Sequence, residues 1–292
     1  ARGEKHPDPY LAAKKVIKMG ADSVTIHLRE DRRHIKDQDA LKICNLKNVS
    51  VNLEVSMNRD IINKALKFKP NYICIVPENR KEITTEGGLN LENNKKNLKD
   101  IIKRFKKAKI RTSLFINPTI KDIKISKELN VDCVEIHTGK ISNQIKLKKN
   151  YNFEFDKIKK ASNLAQKFEI EVHAGHGLDY KTTRILSKIN NIIEFNIGHF
   201  LIGESVFFGL SKVIKNFIKI IKNWFMKILG IGVDIIENKR IKYSIKSVKF
   251  KKRIYGAKEL KQSVTIKNKI NYFSKRFAAK EAFAKALGIG FR

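Results

Sequence analysis

The chain has 292 residues, 42% of them apolar, and carries 62 Lys and Arg against 29 Asp and Glu for a net charge of +33. That length holds one large α/β domain or two ordinary ones, and the apolar fraction excludes wholesale disorder. No apolar run approaches the ~20 residues that span a bilayer; the best candidate, 217–236, is broken by Lys219, Lys222, Lys227 and Asp234.

The excess charge is pervasive. From Met226 to the C-terminus there are 18 basic and 4 acidic residues, and the rest of the surplus is spread over 1–225. Most of it is Lys on the polar faces of predicted helices, without interleaved aromatics. That favours a composition bias on an ordinary enzyme over a polyanion-binding surface. Cys44, Cys74 and Cys133 are odd in number and show no CxxC spacing. With no signal peptide in the sequence, they read as core residues of a reduced, cytoplasmic protein.

Asp8-Pro9 predicts a helix start, with Asp as N-cap and Pro at the first helical position, and Gly20 ends that helix. Strand-like runs follow at about 23–28, 50–56, 72–77, 111–117, 133–138, 169–174 and 192–198. Amphipathic helical patterns lie between them near 37–46, 59–68, 93–108, 120–128, 153–168 and 180–188, with one more at 204–221. Strand–helix alternation with nearly continuous apolar strands predicts a parallel sheet covered by helices. A closed (β/α)₈ TIM barrel needs eight strands, so one more is expected upstream of Ala1. A doubly wound sheet is the alternative, weakened because no glycine-rich dinucleotide fingerprint follows the first strand.

The strands end alike. They carry His27 and Arg29; Glu54; Pro77 and Glu78; Asn117; Glu135 and His137; His173 and His176; and Gly198 with His199. In a barrel those ends form one face, where active sites lie. The stretch 24–34 is densest, with Arg29, Arg32, Arg33 and His34 close behind His27. Gly175-His176-Gly177 and Gly198-His199 suit phosphate, because glycines let backbone N–H groups approach oxygens and a helix N-terminus adds favourable field. Glu54 is a candidate general base whose pKa burial would raise, and His27 and His176 are candidates for proton transfer. The loop 78–88, with Thr84, Thr85, Gly87 and Gly88, suits closure over a substrate. No HxH or HExxH spacing points to a metal.

The strings His6-Pro7-Asp8-Pro9, IHLREDRRHI (26–35), VPENRKEITTEGGL (76–89), EIHTG (135–139), HAGHGLDY (173–180) and NIGH (196–199) resemble pyridoxine 5′-phosphate synthase across 1–222. The resemblance implies a TIM barrel of an octameric transferase. That enzyme condenses 1-deoxy-D-xylulose 5-phosphate with 3-amino-2-oxopropyl phosphate in vitamin B6 biosynthesis, without a cofactor. It implies His27 and Glu54 as general bases, His176 as general acid and Glu135 as a transition-state-stabilising carboxylate. Arg29, His34 and Thr84 would contact the deoxyxylulose phosphate, and Arg2, Gly177, Gly198 and His199 the aminoketone phosphate. Departures from the family pattern are His173 in place of Asn, Glu204 in place of Arg, and a start after the family's first strand, which carries substrate-binding residues.

From Met226 the pattern restarts. Residues 226–237 (MKILGIGVDIIE) predict a strand ending in an acid, and 276–288 predict a strong helix with Phe277, Glu281 and Lys285 on one face. Together they resemble part of a holo-acyl-carrier-protein synthase, an α+β phosphopantetheinyl transferase of fatty acid biosynthesis. That implies Asp234 and Glu281 as Mg²⁺ ligands, Lys285 near coenzyme A (Lys280 is a weaker candidate), and acyl carrier protein as partner. Hard oxygen donors suit Mg²⁺. The piece covers about half of that family's domain and, with little core, is expected to pack poorly. The competing expectation for the whole chain is an inactive basic barrel serving as a nucleic-acid or scaffold protein. It requires that His27, Glu54 and His176 fail to converge.

Overall fold

The computed structural model describes residues 7–78, 87–225, 233–287 and 289. The chain divides into two compact units, Ala1–Phe225 and Met226–Arg292.

The first unit opens on α1 (Pro9–Lys18), whose N-cap Asp8 accepts from the N–H groups of Tyr10 and Leu11. Strands and helices then alternate: β1 (Ser23–Leu28), α2 (Asp37–Cys44), β2 (Ser50–Val55), α3 (Arg59–Phe68), β3 (Tyr72–Ile75), α4 (Leu91–Lys107), β4 (Arg111–Ile116) and α5 (Ile120–Glu128). They continue as β5 (Cys133–His137), α6 (Gly139–Lys146), α7 (Asn152–Lys167), β6 (Glu171–Gly175), α8 (Tyr180–Leu186), β7 (Ile192–Asn196), α9 (His199–Phe208) and α10 (Leu210–Phe225). The seven strands form one parallel sheet in sequence order, a TIM-like fold. Two elements differ from expectation. Helix α6 was not anticipated, because eight residues starting at a glycine give a weak periodic signal. The helix expected at 204–221 is two, separated at Gly209, whose φ of 78° no helix accommodates.

Period-2 alternation sorts the strand residues onto two faces. One face is apolar: Ile26, Leu28, Val51, Leu53, Ile73, Ile75, Leu114, Val134 and Val172 are buried in one large core. Helix residues such as Ile61, Ile62, Leu98, Ile102 and Phe105 belong to that same core. The alternate positions face the barrel interior, and they are polar: Thr25, His27, Asn52, Glu54, Arg111, Ser113, Glu135, Glu171, His173, Glu194 and Asn196. Among the described residues, Cys74, Val76 and Phe115 form a small apolar cluster of their own. All three cysteines are free, and Cys74 and Cys133 are buried. A register slip between β6 and β7 pairs His173 with Glu194 and Gly175 with Asn196. Thr25 Oγ1 on β1 then donates to Asn196 Oδ1 on β7 at 2.9 Å. The two ends of the sheet therefore face each other across the interior. Outside, α10 packs on α8 and α9 and touches α1, so the helical layer joins its last member to its first. Among the described residues no helix is long and apolar enough to cross a membrane.

The second unit is helical: α11 (Asn238–Ser244), α12 (Val248–Ile254), α13 (Ala257–Gln262) and α14 (Lys269–Ala286). Ile241, Tyr255, Tyr272 and Phe273 form its small core. The strand expected over 226–237 is not seen in its described part: residues 233–237 form no regular element, and no other described segment of this unit offers a strand to pair with. Residues 226–232 lie outside the described residues.

Candidate active site

The C-terminal ends of the strands bring the expected residues to one face. His27 and Glu54 are register partners on β1 and β2, with Nδ1 and Oε2 3.6 Å apart. On its other side, His27 Nε2 stands 3.6 Å from Oε2 of Glu78, just past β3. Glu78 also accepts from the Glu30 N–H at 2.9 Å, which fixes its carboxylate. Arg29 is buried, with Nε 3.6 Å from Asp31 and 3.8 Å from Glu78. Its Nε and Nη2 have no hydrogen-bond partner among the described residues. Burial and the Arg29 charge push the His27 pKa down to about 4, so the imidazole is neutral at pH 7. Burial lifts Glu54 to about 7.

Glu135 sits at the centre of β5, 2% exposed. Asn196 Nδ2 donates to its Oε2 at 2.8 Å, while Asn196 Oδ1 accepts from Thr25, which also accepts from Asn52 at 3.4 Å. Burial, and then the nearby Glu54 charge, hold the Glu135 carboxyl well above the usual carboxylate range, against the pull of the Asn196 bond. The close approach of β6 depends on Gly175: a β-carbon there would lie 1.8 Å from Glu135 Oε1.

His176 follows directly, in the left-handed region at φ 73°, with Gly177 at 75°. The single hydroxyl proton of Thr138, shared between the carbonyls of Gly175 (Oγ1 at 2.8 Å) and His176 (2.7 Å), holds this turn. A non-glycine residue in that region costs of order 1–3 kcal/mol and persists where the surroundings impose it, which marks functional turns. The His137 and His176 rings lie 4.8 Å apart. Burial, then Lys146, lowers the His176 pKa. Beside His137 opens a cavity of about 410 Å³, lined also by Asn117, Thr119, Lys140 and the buried Glu154. Gly198 is the N-cap of α9 and makes no side-chain cap bond. Its neighbour His199 is exposed and open to solvent, as is His34. Arg2 and Thr84 lie outside the described residues.

Asn196, Thr25 and Thr138 were missed in the sequence. Asn196 was legible in part: it shares parity with Glu194 and precedes the glycine turn by two. Thr25 and Thr138 gave no signal, since a threonine in a strand is ordinary β-former.

In the second unit, Lys285 Nζ donates to Asp234 Oδ1 at 2.7 Å. That bond, with the field of Asp234 and Glu281, raises the Lys285 pKa. Asp234 and Lys285 thus meet, and Glu281 acts on Lys285 through its charge. Lys280 does not join them: it bonds Ile254 O at 2.9 Å and Glu259 at 2.6 Å, a role within the helical core.

The fold is shared with solved structures of low sequence identity. A 3-keto-L-gulonate-6-phosphate decarboxylase from Vibrio cholerae superposes with a TM-score of 0.54 at 13% identity, covering 73% of this chain and 90% of that one. A structure titled native KDPGal gives 0.54 at 15%, covering 76% and 92%. The sequence likeness is far closer. Pyridoxine 5′-phosphate synthase of Pelagibacter ubique is 67% identical over 217 residues, 74% of this chain and 91% of that protein. The Zymomonas mobilis enzyme of the same name is 43% identical, over 74% and 83%. Residues 230–292 match the 4′-phosphopantetheinyl transferase superfamily. Residues 1–223 match the family of the pyridoxal phosphate biosynthesis protein PdxJ, and the chain belongs to that family.

Proposed function

We propose that the barrel is a transferase that condenses 1-deoxy-D-xylulose 5-phosphate with 3-amino-2-oxopropyl phosphate, giving pyridoxine 5′-phosphate, inorganic phosphate and water. The observation that carries this reading is Arg29, a buried guanidinium with unspent donors beside the His27–Glu54 pair. A buried cation with free N–H groups calls for an anion, and phosphate matches its fork. Neutral His27 and Glu54 near its pKa suit proton abstraction at neutral pH. Glu135, whose site disfavours the charged form, suits a hydrogen bond to oxygen that gains negative charge. His176 is neutral at pH 7 in the free enzyme, and a phosphate dianion beside it favours the proton it must give. Backbone N–H groups at Gly177, and at Gly198-His199 where α9 begins, suit the second phosphate.

In α9, Ile202, Val206, Phe207 and Phe208 are all exposed. Such exposed apolar side chains on a cytoplasmic enzyme fit burial in a homo-octamer. For the second unit, the proposed activity is phosphopantetheine transfer from coenzyme A to an acyl carrier protein. Asp234 and Glu281 would hold Mg²⁺ as hard donors, with Lys285 turned to the coenzyme A phosphates.

The test supplies both phosphorylated substrates to the purified chain and follows pyridoxine 5′-phosphate by chromatography. Product from the wild type, with Glu54→Gln and Arg29→Ala each reduced at least 100-fold and unaffected by added DNA, supports the reading. Full activity in both variants refutes the assignment of this site.

A further inference from the structure

The opposite end of the barrel holds a second cluster, which the proposed reaction does not use. Cys133 and Glu171 are the first residues of β5 and β6 and are register partners. His173, two residues on, faces the same side of the sheet. One ligand atom from each of the three lies within 4.8 Å of the others. Cys133 Sγ is 3.6 Å from Glu171 Oε2, and His173 Nε2 is 3.8 Å from the same oxygen. The His173 side chain is 5% exposed, and its ring nitrogens face the carboxylates of Glu194 and Glu171 at 3.7 and 3.8 Å.

We propose that Cys133, Glu171 and His173 form a binding site for a borderline-soft divalent cation of the zinc class. Three independent features agree. First, bonds of about 2.3 Å to sulfur and about 2.0–2.2 Å to nitrogen and oxygen place tetrahedral ligands about 3.4–3.6 Å apart, close to the 3.6 Å between Cys133 and Glu171 and the 3.8 Å between Glu171 and His173. Second, His173 Nδ1 faces Glu194, 3.7 Å away on β7; a carboxylate behind a ligating imidazole orients it and strengthens it as a donor. Third, the charge closes. A divalent cation and Arg111, which pairs with Glu171 at 2.8 Å and reaches Cys133 Sγ at 3.5 Å, balance one thiolate and the carboxylates of Glu171 and Glu194. The partly exposed Glu171 gives the ion a way in and leaves a fourth position for water. The ion would clip β5 to β6 at the end of the barrel away from His27 and His176.

Cobalt(II) reports the site directly, because a thiolate ligand adds an intense charge-transfer band and tetrahedral geometry adds visible absorption. The full chain, stripped with a chelator, is titrated with Co²⁺ and then Zn²⁺. The expected result is one equivalent per chain with the thiolate band, displaced by Zn²⁺. The band is lost in Cys133→Ser and retained in Cys44→Ser. Glu194→Gln keeps the band with roughly 10–100-fold weaker binding. Absence of a band in the folded wild type overturns the proposal without recourse to any variant, as does a band that survives Cys133→Ser. Mg²⁺ at the second unit gives no such signal, so the two sites cannot be confused.

Discussion

Gly175 makes room for Glu135: a β-carbon at position 175 would stand 1.8 Å from Glu135 Oε1. The glycine here is a matter of space, since its neighbour is a buried carboxylate held by Asn196. Gly175→Ala should leave the sheet intact and push the carboxylate off its position. Displacing a reacting group by about 1 Å costs on the order of 100-fold in rate. The expected outcome is a loss of that size in kcat, with the circular dichroism spectrum unchanged. Activity within threefold of wild type would show that the Glu135 position is not critical.

The pH profile follows from Glu54 and His27. Glu54 at about 7 must lose its proton to act as a base, so kcat/KM should rise with pH and level off above about 7. His27 at about 4 adds no inflection near 6.5. The same shift has a stability sign. The folded pKa of Glu54 exceeds the unfolded 4.5, so the native state binds more protons between 4.5 and 7 and stability falls as pH rises through that window. Glu54→Gln should therefore gain stability relative to wild type above pH 7, on the order of 2–3 kcal/mol. Denaturant titrations at pH 4 and pH 8 read the difference, and an equal effect at both values would contradict the raised pKa.

Asn196 couples three strands, donating to Glu135 on β5 and accepting from Thr25 on β1. Asn196→Leu should strand two buried polar groups at a cost of about 1–3 kcal/mol each. The loss should appear as a lower denaturant midpoint at unchanged m-value, together with reduced kcat. Thr25→Val combined with Asn196→Leu should cost less than the sum of the single changes, because one orphaned hydroxyl is then removed.

Much of this was readable in the residues, and the exceptions share a cause. All seven strands follow from β-branched runs such as VTIHL and YICIV, and the site-bearing ends from His27, Glu54 and Gly175-His176-Gly177, which have no reason to sit at strand exits otherwise. The Glu135–Asn196–Thr25 chain was not legible, because it joins residues up to 171 positions apart through register and a slip between β6 and β7. The cysteine–glutamate–histidine cluster was hidden for the same reason: Cys133 reads as a core residue until β6 is laid beside it. The helix boundary at Gly209 was blurred by continuous apolar sequence on both sides. In the tail, residues 233–237 of the expected strand form no regular element, because a strand needs a partner and none lies among the described residues of this unit.

Lys280 and Lys285 lie five residues apart on α14 and should behave oppositely. Lys285 pairs with Asp234 at the surface, its side chain about half exposed, and such pairs contribute little to stability. Lys280 is partly buried against Tyr255 and satisfies both a helix-end carbonyl at Ile254 and Glu259. Lys285→Met should leave the unfolding of the second unit nearly unchanged while weakening coenzyme A binding. Lys280→Met should lower its stability by about 1.5–3 kcal/mol, the range for bonds to charged groups. Thermal unfolding followed by tyrosine absorbance, together with calorimetric titration of coenzyme A, separates the two. Equal destabilisation by both variants would place Lys285 in the structural network instead.

The exposed apolar residues of α9 make the last prediction. Phe207 and Val206 are 80% and 78% exposed, beside Ile202 and Phe208. Large apolar side chains grouped this way on one helix are costly to leave in water, at roughly 25 cal/mol per Å². The proposed octamer would cover them. Phe207→Glu should leave the fold intact, since the side chain contacts solvent, and yield a smaller species by light scattering at micromolar concentration. A wild type and variant of equal mass would show that α9 does not carry the assembly.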